Sequence, residues 1–453
     1  MHILAANPPR GAGGSQEAPG RFPGTSGGFG MRKLLLGSTA VAAAALFAPV
    51  GAMAQSLSGD ALTASQAAGV SLRGLEVRIG GFYKAMYNYT RQENVNVGDA
   101  RVGNSDFSQE IEIHVLATGK AANGLRYGVA LEIQNDINRT PPAGPIGKNS
   151  LDYDEAWAFL QGPWGQIRFG DEDGAIAQLQ SGHITGFGLG GIDSGDNNQQ
   201  VIGGNYRPAF YTPNDPGDNT KLIYLTPQLF GFDAGVSFAF NTNEGPLSGC
   251  DSVTAATVTT CDRLSAVAGA NTRRRNELQA ALRWRGSFGP VGLATTVGYI
   301  GADAVKNITG PSADPLSMVW AGAVATAYGA SIGGWYTGGS SNGGFNNRLN
   351  RAGTVVDDRR SDAFLVGATY TIDAFTVGGH YTVNWTAGSQ TAPAGRRDIG
   401  WAVGGNYRVA PGLDFFAEYV NYDRKERGFQ FNNRGPAGGT TVDIVLAGFR
   451  VAF

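Results

Sequence analysis

Few residue groupings in this chain could support chemistry, and none completes a catalytic set. Gly186-Phe187-Gly188-Leu189-Gly190-Gly191 formally matches G-x-G-x-x-G. That fingerprint binds a pyrophosphate only where a strand turns into a helix, whose first N–H groups face the anion. No helical pattern follows Gly191, so a dinucleotide site is rejected. Walker A, nucleophile-elbow and zinc Cys/His patterns are absent. The four histidines are His2, His114, His183 and His380. His114 and His380 fall within alternating segments and read as polar wall residues rather than bases. The chain is therefore expected not to be an enzyme, with no cofactor and no metal site. Asp215-Pro216-Gly217-Asp218-Asn219 is oxygen-rich enough for calcium but lacks the EF-hand spacing. Cys250 and Cys261 stand in one connection with ten residues between them, and in an exported chain they are expected to form a disulfide. Asp171, Glu172, Asp173, Asp193 and Asp196 cluster in one long connection. If that connection lined a water-filled passage, their carboxylates would set a cation-preferring field.

Composition narrows the frame that must carry these residues. The formal net charge is −2, which gives no reason to expect a nucleic-acid partner. Glycine is abundant at 69 residues, yet 23 Phe, 16 Tyr and 7 Trp argue for an ordered chain. Residues 1–30 are Gly/Pro/Ser-rich and are expected to precede the true start at Met31. Residues 31–54 read as a secretory signal peptide. Arg32 and Lys33 are basic, Leu34 to Val50 is apolar, and Ala52-Met53-Ala54 suits cleavage before Gln55. The exported chain would carry 31 basic and 36 acidic residues. Residues 55–74 form a short periplasmic leader, and 75–453 the folded domain. No later apolar run approaches the ~18–20 residues of a membrane helix.

From Leu75 onward, period-2 polarity recurs. In Leu125 to Gln134 the odd positions are apolar and the even ones small or polar, so a strand would put them on opposite faces. Sixteen such strands are predicted, near 75–90, 107–119, 124–138, 153–162, 165–171, 220–227, 230–241, 275–286, 290–301, 317–328, 330–338, 360–372, 374–386, 397–409, 412–424 and 440–453. Their connections alternate short and long. This sorting predicts an all-β, transmembrane, antiparallel up-and-down barrel with short periplasmic turns and long external loops. Aromatic residues near both strand ends, such as Tyr328 and Phe375 at the short turns and Tyr87 and Trp385 at the long loops, predict two interfacial girdles. Outer-membrane lipid would surround the barrel.

Strand parity turns Arg78, Lys84, Glu110, Glu112, His114, Arg126, Glu132 and Arg168 toward the interior, where a charge avoids the ~2–4 kcal/mol cost that Lys or Arg meets at the bilayer midplane. The remaining interior positions read as mostly Gly, Thr and Ser. The predicted function is a water-filled channel for passive diffusion of small hydrophilic solutes and ions. Phe82, Trp157 and Phe159 keep a substrate-specific sugar or carboxylate channel as the alternative.

Three stretches resemble the general porin family of Gram-negative bacteria, in its alphaproteobacterial form. Asp154 to Gly170 looks like a family hairpin with its Gly162-Pro163-Trp164-Gly165 turn, and Asn219 to Phe232 looks like the sixth and seventh strands. Ala447 to Phe453 ends on the terminal Phe that the family uses as an assembly signal. The resemblance implies a homotrimer in the outer membrane, assembled by the barrel-assembly machinery. It also implies that the third external loop, 172–219, folds inward and narrows each pore. This loop departs from the family by carrying Gly190-Gly191-Ile192-Asp193-Ser194-Gly195-Asp196 in place of an acidic Pro-Glu-Phe-Gly-Gly-Asp run.

Overall fold

The computed structural model describes residues 70–72, 74–93, 103–134, 152–193, 197, 200, 217–241, 267–268, 274–304, 307–309, 315–340, 361–386, 394–427 and 439–453. Sixteen strands form the barrel: β1 Leu75–Gln92, β2 Ser105–Lys120, β3 Arg126–Gln134, β4 Asp152–Gly162, β5 Gly165–Asp171, β6 Thr220–Leu225, β7 Phe232–Asn241 and β8 Arg274–Phe288 in the first half. The second half is β9 Val291–Ala304, β10 Leu316–Ala327, β11 Ala330–Ser340, β12 Ser361–Ile372, β13 Phe375–Thr386, β14 Ala394–Ala410, β15 Leu413–Arg427 and β16 Gly439–Ala452. Each pairs antiparallel with the next, and β16 returns to β1 with Ala452 opposite Phe82 and Val442 opposite Gln92. The ring is thereby closed and no edge is left unpaired, the condition for a sheet to cross lipid. A short strand, Val70–Leu72, folds back on the start of β1.

The sixteen predicted strands correspond one to one with these. Several run two or three residues further, β14 to Ala394 and β15 to Arg427, because paired backbone groups extend the ladder beyond the membrane. The predicted residues 135–138 lie outside the described residues. At two short turns, Phe230-Gly231 and Tyr328-Gly329, successive residues have positive φ, the type I′ geometry that matches strand twist. A bulky residue rarely takes that conformation, and here it projects an exposed ring from the short-turn end.

Alternation gives the wall its two faces. Outward positions such as Ile79, Val129, Phe169, Ile332, Val377 and Val403 are apolar and exposed on the isolated chain, as a lipid band requires. Tyr328, Tyr370, Phe375 and Tyr407 at one end, and Tyr87, Phe107, Tyr336 and Trp385 at the other, are likewise exposed. Trp284, near the short-turn end of β8, is half-buried and packs against Phe288.

The inner face corrects one expectation. It is mostly polar along β1–β7, with Met86, Leu116, Trp157, Phe159 and Ile223 as buried apolar exceptions, but β10–β12 and β15–β16 turn inward Leu316, Met318, Trp320, Trp335, Leu365, Val420, Ile444 and Leu446, all at most 3% exposed. The reason is that this half does not face open water. Ile176, Leu179, Ile184, Phe187 and Ile192, from the connection after β5, join the same apolar cluster.

Candidate functional site

The segment that begins at Glu172 is held to the inner wall along its described length. Its first turn is the five-residue helix α1, Ala175–Leu179. Helix N-termini leave N–H groups without intrahelical partners; here Ala175 N–H donates to Ser237 Oγ of β7 and Ile176 N–H to Gln279 Oε1 of β8, each at 3.1 Å. Thr296 of β9 donates to the Leu179 carbonyl at 2.5 Å and lies 2.8 Å from Ser181 Oγ. The His183 ring stacks on Trp320 at 5.4 Å between centroids and lies tilted against Trp335 at 5.7 Å.

Two groups fix the far end. His380 of β13 bonds the Ile184 carbonyl through Nδ1 at 2.7 Å and accepts the Ile192 N–H on Nε2 at 2.9 Å. The pair of contacts requires the neutral tautomer protonated on Nδ1. Glu418 of β15 accepts the N–H groups of Leu189 and Gly191 on Oε2, both at 2.9 Å, and Asn197 Nδ2 on Oε1 at 2.5 Å. The glycine run is explained by this approach. Gly188 and Gly191 have positive φ, and a Cβ would stand 2.4 Å from Glu418 Oε2 at the first and 2.5 Å from the His380 ring at the second.

The eight predicted wall residues stand at strand positions opposite in parity to the exposed Ile79, Phe107, Val129 and Phe169 of β1, β2, β3 and β5. Lys84 bridges Glu110 at 2.5 Å, and Arg78 bridges Glu76 at 2.8 Å. His114 Nε2 is 2.5 Å from Glu112 and 4.0 Å from Glu132. Arg126 sits at the exposed short-turn end of β3. Arg168 stacks over Trp157 at 4.5 Å, reaches Glu172 and Gln178 at 3.1 Å each, and is itself buried. Glu172 is fully buried; burial pushes its carboxyl above the usual carboxylate range, while Arg168 pulls it the other way. Asp171 is buried and accepts a hydrogen bond from Thr220. Asp173 and Asp218, the latter from the oxygen-rich run, come together with Glu155 of β4, their ligand oxygens all within 4.8 Å of one another. Carboxylates thus crowd the inner wall of β2–β5, and the cations Lys84 and Arg168 already have acidic partners.

The Asp193 side chain and all of Asp196 lie outside the described residues, as do Asp215, Pro216, Cys250 and Cys261. Sequence reasoning missed the roles of Glu418 and His380, and three further inner ion clusters. Asp233 pairs with Arg283 at 2.6 Å and Arg285 at 2.9 Å. Asp398 pairs with Arg424 at 2.7 Å, and Asp414 with Arg408 and Arg450 at 3.4 and 3.1 Å. Parity would have turned each of these inward; only the register could have paired them.

A model of the Gram-negative porin family matches residues 39–427. The chain belongs to the Gram-negative porin family. Among solved structures it is similar to engineered variants of the porin from Rhodopseudomonas blastica. Two are matched at 16% identity and a TM-score of 0.48, and a triple mutant at 16% and 0.47, each match covering 83% of this chain and 100% of the other. No curated protein sequence matches. As a porin, this chain forms an outer-membrane channel through which small hydrophilic solutes and ions diffuse passively.

Proposed function

We propose that the connection 172–219 forms the pore constriction and gives this porin a preference for cations. One observation carries the reading: the connection is tied to the apolar half of the inner wall by Glu418 and His380, which leaves the acidic half over β2–β5 to border the passage. In a narrow lumen few counter-ions fit, so each carboxylate acts on a passing ion with little screening. Glu172, Asp173, Asp193 and Asp196 supply charge from the loop, and Asp171 at the end of β5 with Glu110, Glu112 and Glu132 from the wall. Loop carbonyls and amides without strand partners meet water or polar side chains there rather than lipid.

The channel reading extends to biogenesis. Residues 31–54 act as a cleaved signal, 1–30 precede it, and 55–74 stay in the periplasm. The exported barrel assembles as a homotrimer through the barrel-assembly machinery, with Phe453 as the recognised end. As a channel it catalyses no reaction. Planar-bilayer recording in a salt gradient tests the constriction. Deleting residues 186–196 raises single-channel conductance, and Asp193→Asn with Asp196→Asn shifts the reversal potential toward zero. Conductance and reversal potential both unchanged in the two variants would place the constriction elsewhere.

A further inference from the structure

We propose that Glu112, His114 and Glu132 form a binding site for a divalent transition-metal ion, zinc being the type case. Glu112 and His114 are two residues apart on β2 and therefore share a face. The β2–β3 register sets Glu132 directly opposite His114. One ligand atom from each residue lies within 4.8 Å of the other two. The site is enclosed: the side chains are 6%, 6% and 10% exposed.

A second observation points to an occupant. Among the described residues no hydrogen bond reaches the Glu132 carboxylate, although it is about nine-tenths buried and aimed at the imidazole 4.0 Å away. Buried carboxylates are normally paired, hydrogen-bonded or bound to a metal. On the adjoining β1, Lys84 is already bound to Glu110 and Arg78 to Glu76.

Ligand chemistry selects the ion. One imidazole with two carboxylates is a three-ligand set for zinc, with a fourth position left for water. Calcium and magnesium take oxygen donors, whereas imidazole favours zinc, copper, iron or nickel. Bonds of ~2.0–2.1 Å in a tetrahedral site put ligand atoms roughly 3.3–3.4 Å apart. The separations from His114 Nε2, 2.5 Å to Glu112 and 4.0 Å to Glu132, bracket that value.

The proposal concerns equilibrium binding and stands whether or not 172–219 is the constriction. Tag-free, folded protein is titrated with zinc chloride by calorimetry at neutral pH. One zinc per chain is expected, with affinity weakened about ten-fold or more in His114→Gln and in Glu132→Gln, since even outer-shell changes cost 10–100-fold. Heat-modifiable migration of each variant checks that it has folded. X-ray absorption of the zinc-loaded wild-type protein supplies a readout independent of the variants: nitrogen and oxygen ligands including one imidazole. An absence of saturable zinc binding would overturn the proposal. So would wild-type affinity in both variants, a spectrum without imidazole, or displacement of the zinc by equimolar calcium chloride.

Discussion

Glu418 lies 221 residues from Asn197, yet its carboxylate receives three donors from the connection after β5. Hydrogen bonds to a charged group contribute roughly 1.5–3 kcal/mol each, so this one side chain, with three of them, is a strong polar tie among the described residues of that segment. Glu418→Gln keeps the volume but removes the charge and turns an amide donor toward other donors. The variant should show higher and noisier single-channel conductance than the parent, by less than deletion of 186–196 produces. Recording the two variants side by side checks the order; a silent Glu418→Gln trace would mean that the apolar contacts suffice to hold the segment. None of this was legible from the residue itself. Parity turns Glu418 inward, but its partners come from a distant part of the chain, and no local pattern announces them.

At the scale of elements, strands were far more legible than connections. A strand announces itself through alternation, because one face meets lipid whatever the other face meets. Alternation failed to distinguish the two halves of the inner wall. Ile332 and Trp335 point to opposite faces of β11, yet both are apolar, and a sequence pattern cannot tell lipid from a covering loop. The glycine run 186–191 was legible as irregular backbone but not as a close contact with His380 and Glu418. The connection 242–273 remains the element with the clearest covalent expectation. Its Cys250 and Cys261 should form a disulfide in the oxidising compartment, contributing about 2–3 kcal/mol locally in the chain-entropy model. Thiol titration of unfolded, non-reduced protein should find no free thiol; two per chain would refute the pairing.

The whole molecule depends on one seam. Phe453 exchanges both backbone hydrogen bonds with Gly81, at 3.1 and 3.0 Å, just beyond the last paired residue of β16. Gly81 is confined to glycine twice over, by a φ of 152° and by the Glu112 carbonyl that a Cβ would meet at 2.2 Å. Two such bonds contribute only about 1–3 kcal/mol, little beside the ladder. If Phe453 has the proposed assembly role, deleting it should nevertheless lower the yield of folded, heat-modifiable barrel several-fold; normal levels of folded barrel would count against that role. Barrel closure and strand number were readable in advance, since both follow from counting alternating segments. The uneven lining was not, and it has an optical consequence. His183 lies against Trp320 and Trp335, whose rings are themselves 4.9 Å apart. An imidazole stacked beside indole quenches its emission when protonated, by accepting an electron from the excited ring, so at low pH these two tryptophans should be dim while the segment is seated. Removing the ring in His183→Ala, or lifting the segment away, should brighten them. The barrel would then report the position of its own loop in unlabelled protein, through intrinsic fluorescence.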